Sequence, residues 1–365
     1  MLQQYTYKYR IYPSLEQVIQ LSKTFGCTRY IFNYYLDKSQ NNNYKSKVEN
    51  NNHCNRTLKE ELPWLKEVDK FAITNSIYNL DNAFKRFFNK ISDKPKFKSK
   101  RCMQSYQTNY TNNNIEVLDK AIKLPKLGKV RAKIHRELKG TIINATIKKY
   151  PSGKYYVFIL ANREITKMKE VDHIIGLDMG LSHFITDNNG NTIADPKALK
   201  RLEEKLAIEQ RKLSIITKGT NKYNKQRIKV ARVHDRIDNI RNDFLNKIST
   251  TVVKENQIII VEDLNIKKMM EESNLAKRLS DVSISSFINK LEYKSKWYGR
   301  TLVKVGKYFA SSQICSFCGI KNALIKDLSI RKWQCPECNM EHDRDVNAAS
   351  NILMEGINKL FVPVN

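Results

Sequence analysis

The chain has 365 residues and carries 65 Lys and Arg against 37 Asp and Glu, a net charge of +28. A surplus of that size points to a polyanionic partner and away from enzymes of small neutral metabolites, while 41% hydrophobic and 10% aromatic residues exclude a disordered basic tail. At ~150 residues per domain two or three units are expected; the apolar runs fall far short of the ~20 residues of a membrane span and no secretory core precedes Pro13, so a cytosolic location without a membrane partner is expected.

Residues 1–10 alternate as a strand does, with Tyr5, Tyr7 and Tyr9 on one face, and the pattern stops at Pro13. Ser14 and Gln17 have the spacing of a capping box and open a helix. Towards Asn89, Phe71, Ile73, Ile77, Leu80, Phe84, Phe87 and Phe88 recur every three or four positions among Lys85 and Arg86. This predicts a helical block with a basic, aromatic edge, most of whose aromatics form its core. The Asn-rich stretches 41–43 and 50–52 read as loops. Residues 94–101 have no apolar period and read as a basic connector, or as an arm on a nucleic-acid backbone with Phe97 as a stacking surface. Alternation returns over 129–134, 142–147 and 155–159, with a hairpin turn at 151–153, so a small β-barrel completed by the first strand is expected.

Residues 174–178 read as a buried strand ending in Asp178, with 179–186 as its hairpin partner. Leu199, Leu202, Leu206 and Leu213, then Val230, Val233, Ile237, Ile240, Phe244 and Ile248, keep coiled-coil spacing on either side of 218–221, which predicts a helical hairpin over 196–250. Residues 257–262 read as a second buried strand, ending in Glu262. Cys315, Cys318, Cys335 and Cys338 form two C-x-x-C knuckles with sixteen residues between them, the spacing of a zinc ribbon. Four thiolates fill a tetrahedral shell, so one structural Zn²⁺ with no open position is expected. His342 reads as a non-ligand, with exchange for one cysteine left open, and Cys27, Cys54 and Cys102 read as small hydrophobes.

Asp178 and Glu262 each end an apolar strand, and Asp345 lies at the start of a helix. If the strands are neighbours, the acids meet at one sheet edge. Crowded carboxylates repel unless cations lie between them, and hard oxygen ligands suit Mg²⁺ or Mn²⁺. Two such ions can hold the attacking water and the leaving 3′-oxygen of a phosphodiester without a side-chain nucleophile.

Gly176-Leu-Asp-Met-Gly180, Val261-Glu-Asp-Leu264, Ser311-Ser-Gln-Ile-Cys-Ser-Phe-Cys-Gly319 and Asp343-Arg-Asp-Val-Asn-Ala-Ala349 resemble the RuvC and zinc-ribbon motifs of TnpB, the insertion-sequence OrfB family ancestral to type V CRISPR nucleases. The likeness extends to Tyr9-Arg-Ile-Tyr-Pro13, Phe84-Lys-Arg-Phe-Phe88 and Leu124-Pro-Lys-Leu-Gly128, and so covers nearly the whole chain. The resemblance implies an RNA-guided DNA endonuclease. Such a protein binds a guide RNA from its element's end, reads a target-adjacent motif in double-stranded DNA and cuts in an RNase H-like RuvC site. Motif matching gives Asp178, Glu262 and Asp345 as catalytic acids and ligands of two Mg²⁺ (or Mn²⁺) ions, with Asp343 as the rival third acid. Arg344 and Asn347 are implied as supports that orient phosphate or a ligand. Lys70, Thr74 and Thr111 match positions that touch the target-adjacent motif in relatives; Thr74 stands where a relative has a longer amide side chain, which would change the letters read.

The implied architecture is an α/β and β multi-domain chain. A β-barrel wedge comes from 1–10 and 113–170, and a helical recognition domain from 11–112. An RNase H-like RuvC domain follows over 171–310, interrupted by a zinc ribbon over 311–342 and completed by 343–365, with one monomer per guide RNA. A compact type V CRISPR effector, a catalytically silent RNA-guided repressor and a DNA transposase are the alternatives. The three acids argue against the repressor, and the ribbon and N-terminal layout against the transposase.

Overall fold

The computed structural model describes residues 2–39, 45–180, 183–263, 284–306, 309–327 and 329–361. The chain divides into two compact units, Leu2–Glu164 with Arg227–Arg232, and Ile165–Gln226 with Val233–Asn365. Among the described residues no helix is long and apolar enough to cross a membrane.

In the first unit, β1 (Leu2–Tyr12) buries Tyr7, Tyr9 and Ile11 on one face. The predicted capping box forms, with Gln17 N donating to Ser14 Oγ and Ser14 N to Gln17 Oε1, and it opens α1 (Leu15–Lys38). Residues 50–52, expected as loop, lie instead in α2 (Lys47–His53). Ser46 and Glu49 make a second capping box, and buried Asn50 donates to the Lys45 carbonyl; local capping outweighs the weak helix propensity of asparagine. Residues 41–43 lie outside the described residues. A widened turn at Cys54–Leu58, α3 (Lys59–Glu61) and a 3₁₀ turn at Pro63–Glu67 lead to α4 (Lys70–Phe88), capped by Asp69. The predicted periodic residues Ile73, Ile77, Leu80 and Phe84 pack there with Ile31, Phe32 and Tyr35 of α1.

The rest of this unit is β2 (Gln104–Asn109), β3 (Glu116–Val117), β4 (Ala121–Leu124), β5 (Gly128–Lys133), β6 (Thr141–Lys149) and β7 (Tyr155–Glu164). With β1 they make a seven-stranded antiparallel sheet in the order β2-β6-β7-β1-β5-β4-β3. Among the described residues the ladder ends at β2 and β3, so the strands expected to make a barrel form a sheet whose edges do not pair, with one core that joins Tyr106 of β2 to Ile122 of β4. Strand β2 falls within the stretch expected to be helical. Its sequence is polar, and only Tyr106 and Thr108 turn inwards, so hydropathy alone carries little strand signal there.

The second unit contains β8 (Ile174–Asp178), β9 (Ile185–Asp187), β10 (Thr192–Ile193), α5 (Lys197–Ser214), α6 (Asn221–Glu255) apart from Arg227–Arg232, β11 (Ile258–Glu262), α7 (Ile284–Tyr298), β12 (Thr301–Val305), β13 (Lys332–Gln334), β14 (Glu341–Asp343) and α8 (Arg344–Phe361). Helices α5 and α6 form the predicted hairpin, with Leu199, Leu202 and Leu206 against Val233, Ile237 and Ile240. The five-stranded sheet runs β10-β9-β8-β11-β12, with β11 parallel to both β8 and β12 and β9 antiparallel to β8.

Successive strand residues point to opposite faces. Ile175, Leu177, Ile259 and Val261 pack with Ile248 and Val252 of α6 and Phe287 and Leu291 of α7. Ile174, Ile258 and Ile260 pack with Ile352, Leu353 and Ile357 of α8. Each fully buried Ile, Leu or Val contributes roughly 1.5–3 kcal/mol, so the sheet is held firmly from both sides. By this parity Gly176, Asp178 and Glu262 lie on the α8 side. Two glycines allow α8 to lie close: a Cβ on Gly176 would stand 2.5 Å from the Ala349 carbonyl, and one on Gly356 would overlap the Ile260 side chain.

Candidate active site

Strands β8 and β11 pair in register from Ile174↔Ile258 to Leu177↔Val261, so their next residues, Asp178 and Glu262, end the two strands side by side. Helix α8 supplies Asp345 from its first turn. Burial pushes the Asp178 carboxyl up to about 7, with the charges of Asp345 and Glu262 adding and Arg344 and the Met179 amide opposing. Burial also raises Glu262 to about 7. Asp343 plays a different part. Its Oδ1 accepts from the amides of Asp345 (3.0 Å) and Val346 (3.2 Å), so it caps the N-terminus of α8.

The donor set is therefore three carboxylates without sulfur or imidazole, which is the chemistry of a hard divalent cation. Burial disfavours the charged forms of Asp178 and Glu262, repulsion from neighbouring carboxylates adds to it at Asp178, and a cation beside them would oppose both effects. Among the described residues the carboxylates are spaced more widely than the cysteine sulfurs of the ribbon, which all lie within 4.8 Å of one another.

The neighbourhood contains a cation that no sequence pattern marked. Arg331, half-exposed just before β13, brings Nη1 to 3.4 Å from Asp345 Oδ1, and its carbonyl accepts from the Arg344 amide at 2.8 Å. The two residues expected as catalytic supports face the ribbon. Buried Arg344 donates to the carbonyls of Asp327 and Ile330 and to Ser312 Oγ. Asn347 donates to the Ile314 carbonyl at 2.7 Å and accepts from the Ser316 amide at 2.9 Å. Asn351 donates to the carbonyls of Ser311 and Ile314. These three side chains tie the first knuckle to the helix that carries Asp345.

In the ribbon, Cys315 and Cys338 Sγ lie 3.6 Å apart and Cys318 and Cys335 Sγ 3.5 Å apart. The knuckles repeat one turn: the Cys315 and Cys335 amides donate to the carbonyls of Ile320 and Met340, and the Gly319 and Asn339 amides donate back to the two cysteines. Gly319 and Asn339 both take left-handed φ angles, 78° and 57°, which glycine and asparagine tolerate best. All four sulfurs lie within 4.8 Å of one another and could hold one Zn²⁺, for which four thiolates are a full shell. Buried His342 sits outside it, with Nε2 3.0 Å from Cys315 Sγ and its ring 4.7 Å from that of Trp333.

The positions expected at the target-adjacent motif are all in the first unit. Lys70 is exposed at the start of α4, Thr74 Oγ1 bonds Asn51 Oδ1 at 3.2 Å, and exposed Thr111 follows β2. Asn75 joins the two elements by donating to Gln107 O and Asn109 Oδ1. Lys70 and Thr74 thus lie on α4 and Thr111 just after β2, the two elements that Asn75 joins.

Residues 158–273 match the OrfB_IS605 profile, described as "Probable transposase". Residues 285–352 match the Cas12f1-like TNB domain, and residues 1–47 an OrfB_IS605 helix-turn-helix domain. A Streptomyces pristinaespiralis protein named "Putative RNA-guided DNA endonuclease" is 35% identical over 360 residues, covering 96% of this chain and 89% of its own. An Escherichia coli K12 protein of the same description, InsQ, is 29% identical over 374 residues, covering 96% and 92%. Among solved structures, the Cas12f1–sgRNA–target DNA complex contains a chain with a TM-score of 0.64 at 14% identity, with 96% of this chain and 98% of that one covered, a likeness of fold.

Proposed function

The chain belongs to the TnpB family of insertion-sequence proteins, and from that premise we propose that it is an RNA-guided DNA endonuclease. It binds a guide RNA derived from its element's end, reads a short motif beside the target and hydrolyses DNA phosphodiester bonds in the cytosol, as one monomer per RNA. The observation that carries this reading is the convergence of Asp178, Glu262 and Asp345 on the α8 side of the β8–β11 pair. The mixed five-stranded sheet supports an RNase H-like RuvC domain, and the net charge of +28 suits a particle that holds RNA, a heteroduplex and a displaced strand.

Asp178, Glu262 and Asp345 are the residues that would hold two Mg²⁺ or Mn²⁺ ions. When bound, such ions activate water and stabilise the leaving 3′-oxygen. The chain does the rest. Two strand ends and a helix terminus fix the carboxylates before substrate arrives, so little reorganisation is needed at reaction. Arg331, a planar two-pronged donor, orients the scissile phosphate beside Asp345. Arg344, Asn347 and Asn351 hold the Zn²⁺ ribbon against α8 and thereby position Arg331 and Asp345 together. At the α4–β2 contact, Lys70 supplies a phosphate charge without a base-specific fork, while Thr74 and Thr111 offer hydroxyls to base edges.

The test is to express the chain with its native 3′ flanking DNA, sequence the RNA that co-purifies and add Mg²⁺ with a plasmid library carrying the guide match beside randomised flanks. Cleavage confined to one flank motif and lost in Asp178→Ala is the expected result. Guided binding without cleavage would establish the repressor instead, and absence of any discrete RNA would favour the transposase.

A further inference from the structure

The first unit carries an aromatic cleft that neither the carboxylates nor the α4–β2 contact uses. Tyr30 and Tyr34, one turn apart on α1, stack with centroids 5.9 Å apart at 26°. Trp64, from the 3₁₀ turn before α4, meets Tyr30 edge-on at 5.1 Å and 74°. The cleft they line holds 660 Å³, within the roughly 300–1,000 Å³ of small-ligand sites. Tyr30 and Trp64 are each 38% exposed. Cations rim it: Lys23, paired with Glu67 at 2.6 Å, Arg29, and Lys38, whose Nζ lies 4.8 Å from the Tyr34 ring centre.

An independent observation concerns the cleft's floor. Gly26 lies in the middle of α1, where glycine weakens a helix relative to alanine. A Cβ built there would meet nothing within 4 Å, and its φ is not left-handed. No contact among the described residues and no backbone conformation calls for glycine at this position. A partner that approaches the α1 backbone closely would.

The chemistry of the lining selects the partner. Aromatic faces open to solvent and rimmed by cations suit a flat base on an anionic backbone. A second copy would bring the same cations against themselves on a chain of net charge +28. An open apolar cleft is best covered by a partner that stays bound, and in the RNA-guided reading, on which this inference rests, that partner is the RNA. We infer that the cleft between α1 and the Trp64 turn seats an unpaired base of the guide RNA over Gly26, stacked on one of the Tyr30 and Trp64 rings and edge-on to the other.

The experiment uses the full chain reconstituted with its co-purifying RNA, transcribed with 4-thiouridine, and maps photocrosslinks by mass spectrometry. In parallel, RNA Kd is measured against salt for Trp64→Ala, Trp64→Phe and Gly26→Ala. The expected result is a crosslink to the peptides bearing Tyr30 or Trp64. RNA binding should weaken roughly tenfold in Trp64→Ala, recover in Trp64→Phe and keep its salt slope, since no phosphate contact is lost. Gly26→Ala should bind RNA severalfold more weakly while melting no lower than the parent. Unchanged affinity in all three variants with no crosslink would overturn the inference, as would crosslinking only to 4-thiothymidine-labelled target DNA. A Gly26→Ala protein that melts lower with unchanged affinity would assign the glycine to folding and overturn it too. The guided-cleavage assay separates the two readings: a parent that cuts while these variants bind normally refutes the cleft alone, and a parent that carries no RNA refutes both.

Discussion

The second unit holds two sets of candidate metal-binding side chains built in opposite ways. The ribbon's four sulfurs come from residues 315–338, on two turns that repeat one hydrogen-bond pattern, and lie within 4.8 Å of one another. The carboxylates of Asp178, Glu262 and Asp345 come from two strands and a helix that meet only when the sheet pairs and α8 packs. Soft thiolates on a short hairpin let a metal organise its own site, because binding supplies the folding energy. Buried carboxylates need a scaffold stable enough to hold like charges together without help. The ribbon should therefore depend on its ion to fold, and the acid site should fold without one.

Removing zinc tests that contrast with the largest effect. Cys315→Ser, or a strong chelator, should release the ion and unfold the ribbon, since structural zinc contributes on the order of 10 kcal/mol; zinc content by mass spectrometry that stays at one per chain would break the comparison. Asp178→Asn should behave oppositely. Guided cleavage should fall about 10³-fold or more, the scale for a group that acts as part of a unit, with RNA binding intact. The metal-free variant should also melt higher than the parent, because one buried and crowded charge is gone, and a lower melting temperature would contradict the burial and repulsion that raise Asp178.

Gly176→Ala probes the scaffold. The new methyl meets the Ala349 carbonyl and Leu353, and overpacking of this kind costs roughly 1–3 kcal/mol. Cleavage should drop more than RNA binding as α8 shifts, and equal losses would place the damage elsewhere. A smaller effect is expected for Arg331→Ala, roughly tenfold in the cleavage step, only partly restored by Arg331→Lys, which cannot make paired hydrogen bonds; single-turnover cutting rates decide it.

Lys294 supplies a reference away from both clusters. Buried on α7, its Nζ donates to Asn246 O, Ser249 Oγ and Thr250 Oγ1, and burial, with Lys290 adding, lowers it to about 8. Because the unfolded chain holds this proton to higher pH, folding stability should rise from pH 8 towards 10.5. Denaturant titrations of Lys294→Met should lack that rise.

Much of this was legible in the residues themselves. The capping box at Ser14 and Gln17, the α5–α6 hairpin and the ribbon rest on interactions within a few residues of each other, so spacing reveals them. The strand-end acids were readable too, because a β-branched run that stops in a carboxylate is itself local. Strand β2 was not, since its ladder partner β6 supplies what its polar sequence lacks, and the loop expected at 50–52 gave way to a cap at Ser46. Arg331 escaped because an arginine fourteen positions before Asp345 has no sequence relation to it, and Arg344 and Asn347 turn to the ribbon by helix phase.

By itself the chain's order of residues determined the donor chemistry: four thiolates in two knuckles, three carboxylates at element ends, and a surplus of cations for a polyanion. Only tertiary structure decided which carboxylate joins the cluster and which caps a helix. Asp343 and Asp345 are chemically identical and two positions apart, but Asp343 ends β14 and caps α8, whereas Asp345 lies in the first turn of that helix. Packing of α8 across Gly176 leaves Asp343 on the helix's own amides and Asp345 beside Asp178.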